Sequence, residues 1–230
     1  MEPITKAKAV GWTAATILAP LVLSLFVSSI YIGYWYAQTG HRGQPPPDVI
    51  FRSMMLATPL ALWIVTGAWW LFHRGGSSFA ELYWIRTSSI GKDVLVGVVV
   101  GGVWTAVYGF GEVVEFGEMF VLDRAKLGFV PASVSAGFCE EFLFRGFLIG
   151  LIARAGGGRG SQLVYSSLAF ALAHCFWGPW GVFWTAALGF TFGLVTLWRG
   201  NVWSAVVAHT VLNLCIEPAL LSKALTGDLG

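Results

Sequence analysis

Apolar runs of roughly helix-spanning length, separated by short polar stretches, recur along the chain. A membrane-spanning helix needs about 20 mostly apolar residues. The first run, VGWTAATILAPLVLSLFVSSIYIGYWYA, covers 10–37. Further runs cover 51–72, 93–110, 129–153, 161–176, 182–198 and 202–221. The pattern predicts an all-α, polytopic transmembrane helix bundle with seven spanning helices, give or take one. The polar breaks carry their own signals. GHRGQPPPD is a proline-rich loop, and HRGGSSFAELYWIRTSSIGK reads as a polar connector with a short interfacial stretch. In GEVVEFGEMFVLDRAKLG, Glu112, Glu115 and Glu118 recur every three residues and Asp123 follows, which suits either a surface-lying amphipathic helix or a solvated acidic loop. RAGGGRG is a turn without the GK[ST] ending of a phosphate-binding loop, and WGPWG is a sharp break.

Composition agrees with the pattern. Of 230 residues, 56% are hydrophobic and 11% charged, with twelve tryptophans and seventeen phenylalanines. A soluble domain of this size could not hide so much apolar surface, so residues 1–230 read as one integral membrane domain in contact with lipid. A net charge of +2 without basic runs argues against a nucleic-acid partner. Lys6 and Lys8 precede a first run too long for a signal peptide, so it reads as a retained helix. With the N terminus cytoplasmic, Lys6, Lys8, Arg74, Arg86, Lys92, Arg154, Arg159 and Arg199 lie inside. Arg42, Arg52, Arg124, Lys126 and Lys223 then lie outside, so the excess of basic residues on the inner side favours that orientation. Cys139, Cys175 and Cys215 all sit in apolar runs and form no disulfide framework.

Ionisable groups inside spanning segments mark functional positions. Here they are Glu140, Glu141 and Arg145 in the fourth run and His174 in the fifth, joined by His209 and the polar Asn213 in the seventh. No other charge is expected mid-segment in the last hundred residues. Glu141 and Arg145 are four apart, in the favoured order for a pair on one helix face. Glu140 points roughly 140° away from Arg145 around the helix. It is left without a local cation in a low-dielectric setting, where a carboxyl holds a proton more readily, as a general base near neutral pH requires. His209 and Asn213 also share a face. A lone intramembrane histidine is often only a helix–helix hydrogen-bonding residue, and a Glu–Arg pair only a neutralised clasp. The whole set, drawn from three helices, is harder to read as structural. It could activate a water and stabilise an oxyanion, or Glu140, His174 and His209 could ligate zinc.

The three motifs EEFLFR (EExxxR), FALAH (FxxxH) and HTVLN (HxxxN), in that order and in separate apolar runs, resemble the CAAX prenyl endopeptidase and bacteriocin-processing (CPBP) family of intramembrane proteases. The likeness covers 129–216, which would be the catalytic core. It implies a helix bundle with an intramembrane polar cavity and a glutamate-dependent endopeptidase working without a covalent intermediate; no cofactor is expected, and the zinc reading stays open. Carried across the motifs, Glu140 would activate water and His174 would help hold it. His209 and Asn213 would stabilise the oxyanion, and Glu141 and Arg145 would support the site's geometry. The cysteines beside Glu140 and His174 admit a thiol nucleophile as a rival, although neither shares its neighbour's helix face. Expected partners are lipid and a peptide or protein with a membrane-proximal cleavage site. A leader or C-terminal sorting segment of an exported protein is preferred, in a prokaryotic plasma membrane, over a CaaX-type prenylated peptide. A peptide-binding chaperone or immunity protein is the non-enzymatic alternative. Helix depths place the set across the midplane with His174 nearest the outside, so the cavity is expected to open extracytoplasmically.

Overall fold

The computed structural model describes residues 5–73, 78–110 and 124–226, and all regular structure within them is helical. Helix α1 (Lys6–Thr39) is capped by Thr5, whose side chain accepts from the Lys8 amide, and ends at Gly40 in the left-handed region (φ 64°). Helix α2 (Pro47–His73) starts with a proline, tolerated there because the first turn has no use for its missing N–H. A single turn, α3 (Phe79–Leu82), is closed by a capping box between Ser78 and Glu81, and α4 covers Ile90–Phe110. Then come α5 (Arg124–Glu141), a π-helical segment (Phe142–Leu148) and α6 (Ile149–Arg154). Glu141 and Ile149 keep right-handed helical angles, so 124–154 is one continuous helix. It is followed by α7 (Arg159–Ala173), a 3-10 turn (Cys175–Trp177), α8 (Gly178–Arg199) and α9 (Trp203–Thr226).

Four helices among the described residues are long and apolar enough to cross a membrane: Lys6–Thr39, Pro47–Phe72, Ile90–Tyr108 and Gly178–Arg199. By length and composition alone, the described residues do not confirm the expected count of seven or eight. Helix α7 has only 15 residues, and the apolar part of α9 is Trp203–Glu217. The continuous 124–154 helix carries Glu140, Glu141 and Arg145 in its middle, which lowers its hydropathy. The acidic segment with Glu112, Glu115, Glu118 and Asp123 lies outside the described residues, except that residues 124–128 open α5.

The faces are arranged as a lipid solvent requires. On α4, Leu95, Val99 and Val103 point outward, between 56% and 64% exposed, while Gly97 and Gly101 face α9. A Cβ on Gly97 would stand 2.5 Å from the Val207 Cβ, and one on Gly101 would stand 2.6 Å from the Ala208 carbonyl oxygen. Between lipid-bathed helices there is little hydrophobic drive to associate, so close backbone approach over small residues gives the van der Waals contact that holds the pair. The same device recurs at Gly137, where a Cβ would meet Thr210 Oγ1 at 2.6 Å, fixing α5 against α9.

The connector after α2, expected to hold a short interfacial stretch, packs into the bundle. Leu82 and Tyr83 are fully buried, the Tyr83 ring stacks on Phe142, and its hydroxyl donates to the Thr66 carbonyl at 3.0 Å. The turn is thus wedged against the π-helical segment, where Gly146 lets the Tyr83 backbone approach. A second connection joins distant ends of the chain. The buried Asp93 at the start of α4 pairs with Arg199 Nε at the end of α8 (2.7 Å) and accepts from Ser204 of α9 and from Thr87.

Candidate active site

Glu140 and Glu141 occupy the last two positions of α5, before the chain widens into the π segment. Adjacent residues on a helix diverge by about 100°, and the two carboxylates separate accordingly. Glu141 is fully buried and is held by Arg145, whose Nη1 lies 3.1 Å from Glu141 Oε1. Arg145 is itself fully buried. Its Nη2 donates to the Gly189 carbonyl at 3.2 Å, and its guanidinium lies 4.2 Å from the Phe170 ring centroid. The pairing expected from the i, i+4 spacing is therefore present. Glu140 faces away from it into a cavity of about 390 Å³.

The cavity lies among α2, α4, α5, α7, α8 and α9. Its polar lining includes Glu140, His174, His209, Asn213 and Glu217; Met54, Trp180 and Leu212 are among the apolar groups. The structure thus brings Glu140, His174, His209 and Asn213 to one space. Nε2 of His174 and Nε2 of His209 each lie 3.7 Å from Oε2 of Glu140. That is too long for a direct hydrogen bond, and Glu140 Oε2 is buried with no hydrogen-bond partner among the described residues. The three atoms face one another without satisfying one another.

The outer ring nitrogens set the tautomers. Nδ1 of His174 lies 2.7 Å from the Phe170 carbonyl oxygen, which can only accept, so Nδ1 carries the proton. Nδ1 of His209 lies 2.8 Å from Glu141 Oε1 and donates in the same way. In the neutral rings both Nε2 atoms are therefore acceptors turned toward Glu140. His209 can donate through Nε2 only when doubly protonated, a form placed here between two carboxylates.

The fifth run, expected to stay helical through residue 176, ends as a helix just before His174. Helix α7 ends at Ala173, and His174 is its C-cap residue (φ −105°, ψ 18°). The cause lies downstream. The residue before a proline is driven out of the helical region, and Gly178, before Pro179, takes φ 74°, ψ 179°. The short 3-10 turn between them leaves His174 at a helix end, with its side chain 19% exposed against 8% for His209.

Glu217 was not expected at all. It extends the His209, Asn213 spacing by a further four residues along α9, lines the same cavity, and accepts from Ser133 Oγ of α5 at 2.6 Å. The cysteines stand apart: Cys139 is fully buried, Cys175 is exposed, and neither lines the cavity. Among the described residues no group of three or more His, Cys, Asp or Glu side chains is disposed to hold a metal ion.

Residues 124–215 match the model of the type II CAAX prenyl endopeptidase Rce1-like family, a span that contains all three motifs. The family resemblance drawn from EExxxR, FxxxH and HxxxN is thereby borne out, and it is a resemblance to a family of peptide hydrolases. With its apolar spans, the chain is that of an integral membrane protein. Comparison with curated proteins gave no match, and comparison with solved structures gave none.

Proposed function

We propose that this protein is an intramembrane endopeptidase in which Glu140 activates the water that attacks the scissile carbonyl. The observation that carries the reading is the convergence of the two histidine Nε2 atoms, both acceptors in the neutral rings, on the otherwise unbonded Oε2 of Glu140 at 3.7 Å. A water held there donates one hydrogen to Glu140 and the other to Nε2 of His174. Glu140 then takes a proton as the water oxygen bonds to the carbonyl carbon. The carbonyl π electrons move to its oxygen, giving a tetrahedral oxyanion. The Asn213 amide, and His209 when doubly protonated, donate to that oxyanion. Collapse of the intermediate breaks the C–N bond, and the proton held by Glu140 passes to the departing nitrogen.

Glu141 and Arg145 act through His209. Their ion pair fixes the Nδ1–H acceptor of His209 and so the direction of its Nε2, as the outer partners of catalytic histidines do elsewhere. Neither needs to touch the substrate.

The cavity lies within the bundle, so the substrate is a peptide presented at the membrane. An exported protein's leader or C-terminal sorting segment is the first reading, with the N terminus of the enzyme cytoplasmic in a prokaryotic plasma membrane. The family match favours a second, a CaaX-type prenylated peptide. The test is to reconstitute the protein in vesicles and offer both: a peptide ending in a spanning helix and a farnesylated CaaX peptide, with products read by mass spectrometry. Cleavage of one class assigns the substrate. Binding of either without any cleavage would replace the enzyme with a peptide-binding membrane protein.

A further inference from the structure

Glu217 has no part in the chemistry above, yet it is a carboxylate on the wall of the same cavity. One of its oxygens accepts from Ser133, which is fully buried. Among the described residues it has no other hydrogen-bond or ion-pair partner, and neither lysine nor arginine lines the cavity. A carboxylate removed from water without a cation is costly to keep. A hydroxyl donor on one oxygen orients it but offsets only part of that cost.

Its position relative to Glu140 can be read from two helices. Glu217 follows His209 by eight residues on α9, or roughly 12 Å at 1.5 Å per residue. Ser133 precedes Glu140 by seven on α5, or roughly 10 Å. The helices run antiparallel here, since Ser133 meets Glu217, Gly137 abuts Thr210 and Glu140 faces His209. Glu217 therefore stands roughly 11 Å from the reacting centre. Between them the α9 face presents Leu212, Asn213 and Ile216, with Met54 and Met55 of α2 also on the wall. An extended peptide advances about 3.3 Å per residue, so this distance spans three residues, with four as the upper limit.

Resting on the endopeptidase reading, we infer that Glu217, oriented by Ser133, is a specificity residue that receives a lysine or arginine of the substrate three residues from the scissile bond. The substrate cation pairs with Glu217, which no lysine or arginine of the cavity wall reaches, and the apolar wall between accepts the intervening side chains. Glu217 is a positioning residue: it sets which bond reaches Glu140 and touches none of the reacting atoms.

The experiment uses the full-length protein in vesicles and a set of membrane-anchored synthetic peptides, with a single lysine walked along an otherwise glutamine-substituted polar segment. In wild type, cleavage should fall three residues from the lysine and follow it as it moves, at least about tenfold faster than for the all-glutamine peptide. Cleavage at sites indifferent to the lysine would overturn the inference while leaving the endopeptidase reading intact. Binding is measured separately in the Glu140→Gln background, where no turnover is needed. The lysine peptide should bind about tenfold tighter than its glutamine counterpart, and adding Glu217→Gln should level the two. Glu217→Lys should invert the preference toward a glutamate at the same position. Equal affinities in the Glu140→Gln background would sink the inference even if cleavage occurs. A retained lysine preference without any wild-type cleavage would sink the endopeptidase reading and leave only the recognition of a cation by Glu217 standing. If Glu217→Gln does not accumulate, Ser133→Ala is the substitute and should blunt the preference by releasing the carboxylate.

Discussion

Nδ1 of His209 lies 2.8 Å from Oε1 of Glu141, the same oxygen that Arg145 reaches at 3.1 Å. One carboxylate oxygen thus joins the buried ion pair to the histidine that faces Glu140. The neighbouring glutamates of the EExxxR motif are placed differently in consequence, one bound to Arg145 and His209 and one facing the cavity.

That division separates two variants. Glu141→Gln leaves the Arg145 guanidinium buried and unpaired. Breaking a buried pair from one side costs about 3–5 kcal/mol in soluble proteins. Membrane abundance and thermal stability should fall together with activity. Equal abundance of Glu141→Gln and wild type, with activity lost, would show Glu141 acting on the reaction and not on the framework.

Asn213 supplies the amide donor proposed for the oxyanion. Asn213→Ala should lower kcat by roughly 100- to 1,000-fold, the cost of removing one such donor elsewhere, with KM little changed. A rise in KM at unchanged kcat would make Asn213 a substrate-binding residue instead.

Helix packing makes a paired prediction. A Cβ at Gly101 would lie 2.6 Å from the Ala208 carbonyl oxygen, which is backbone and cannot swing aside, whereas a Cβ at Gly102 meets nothing within 4 Å. Gly101→Ala should destabilise by about 1–3 kcal/mol and displace the turn that bears His209. Gly102→Ala should be silent. Similar melting temperatures for the two would mean that α4 and α9 are not this close.

Part of the site was legible because charge in an apolar run is conspicuous and helical periodicity is rigid. Glu140, Glu141 and Arg145 could be assigned to faces by counting residues, and the observed pairing follows that count. The π segment over FLFRGFL has no comparable signature, since an apolar, phenylalanine-rich stretch suits a regular helix equally well. The end of α7 at Ala173 left no local trace because the apolar run continues through CF, although Pro179 already limited what Gly178 could do and so how far the helix could extend. Glu217 lies toward the end of an apolar run, where charge is unremarkable; its four-residue spacing from Asn213 is the signal the sequence offers. The Asp93–Arg199 pair joins residues 106 apart and left no local trace.

The thiol alternative and the metal alternative yield to simple tests. Cys139→Ala and Cys175→Ala should each keep full activity, since neither sulfur lines the cavity. Strong chelators should leave the purified protein active, because Asn213 is a poor zinc ligand and the motifs contain no HExxH pair. Activity lost with a stoichiometric zinc and restored by it would require Glu140, His174 and His209 to be reassigned as ligands.

Orientation is open to labelling. With the N terminus cytoplasmic, a single cysteine placed at 177–181, in a chain lacking its native cysteines, should react with an impermeant thiol reagent added to intact cells. Reaction only after the membrane is breached would reverse the topology and favour the CaaX-type substrate.

The most direct measurement is the cleavage rate of Glu140→Gln beside wild type, in vesicles with matched protein amounts and melting temperatures. Glutamine keeps the shape of the side chain and removes the base. The expected result is a folded, substrate-binding protein with no detectable cleavage; cleavage by Glu140→Gln near the wild-type rate would contradict a glutamate-activated water.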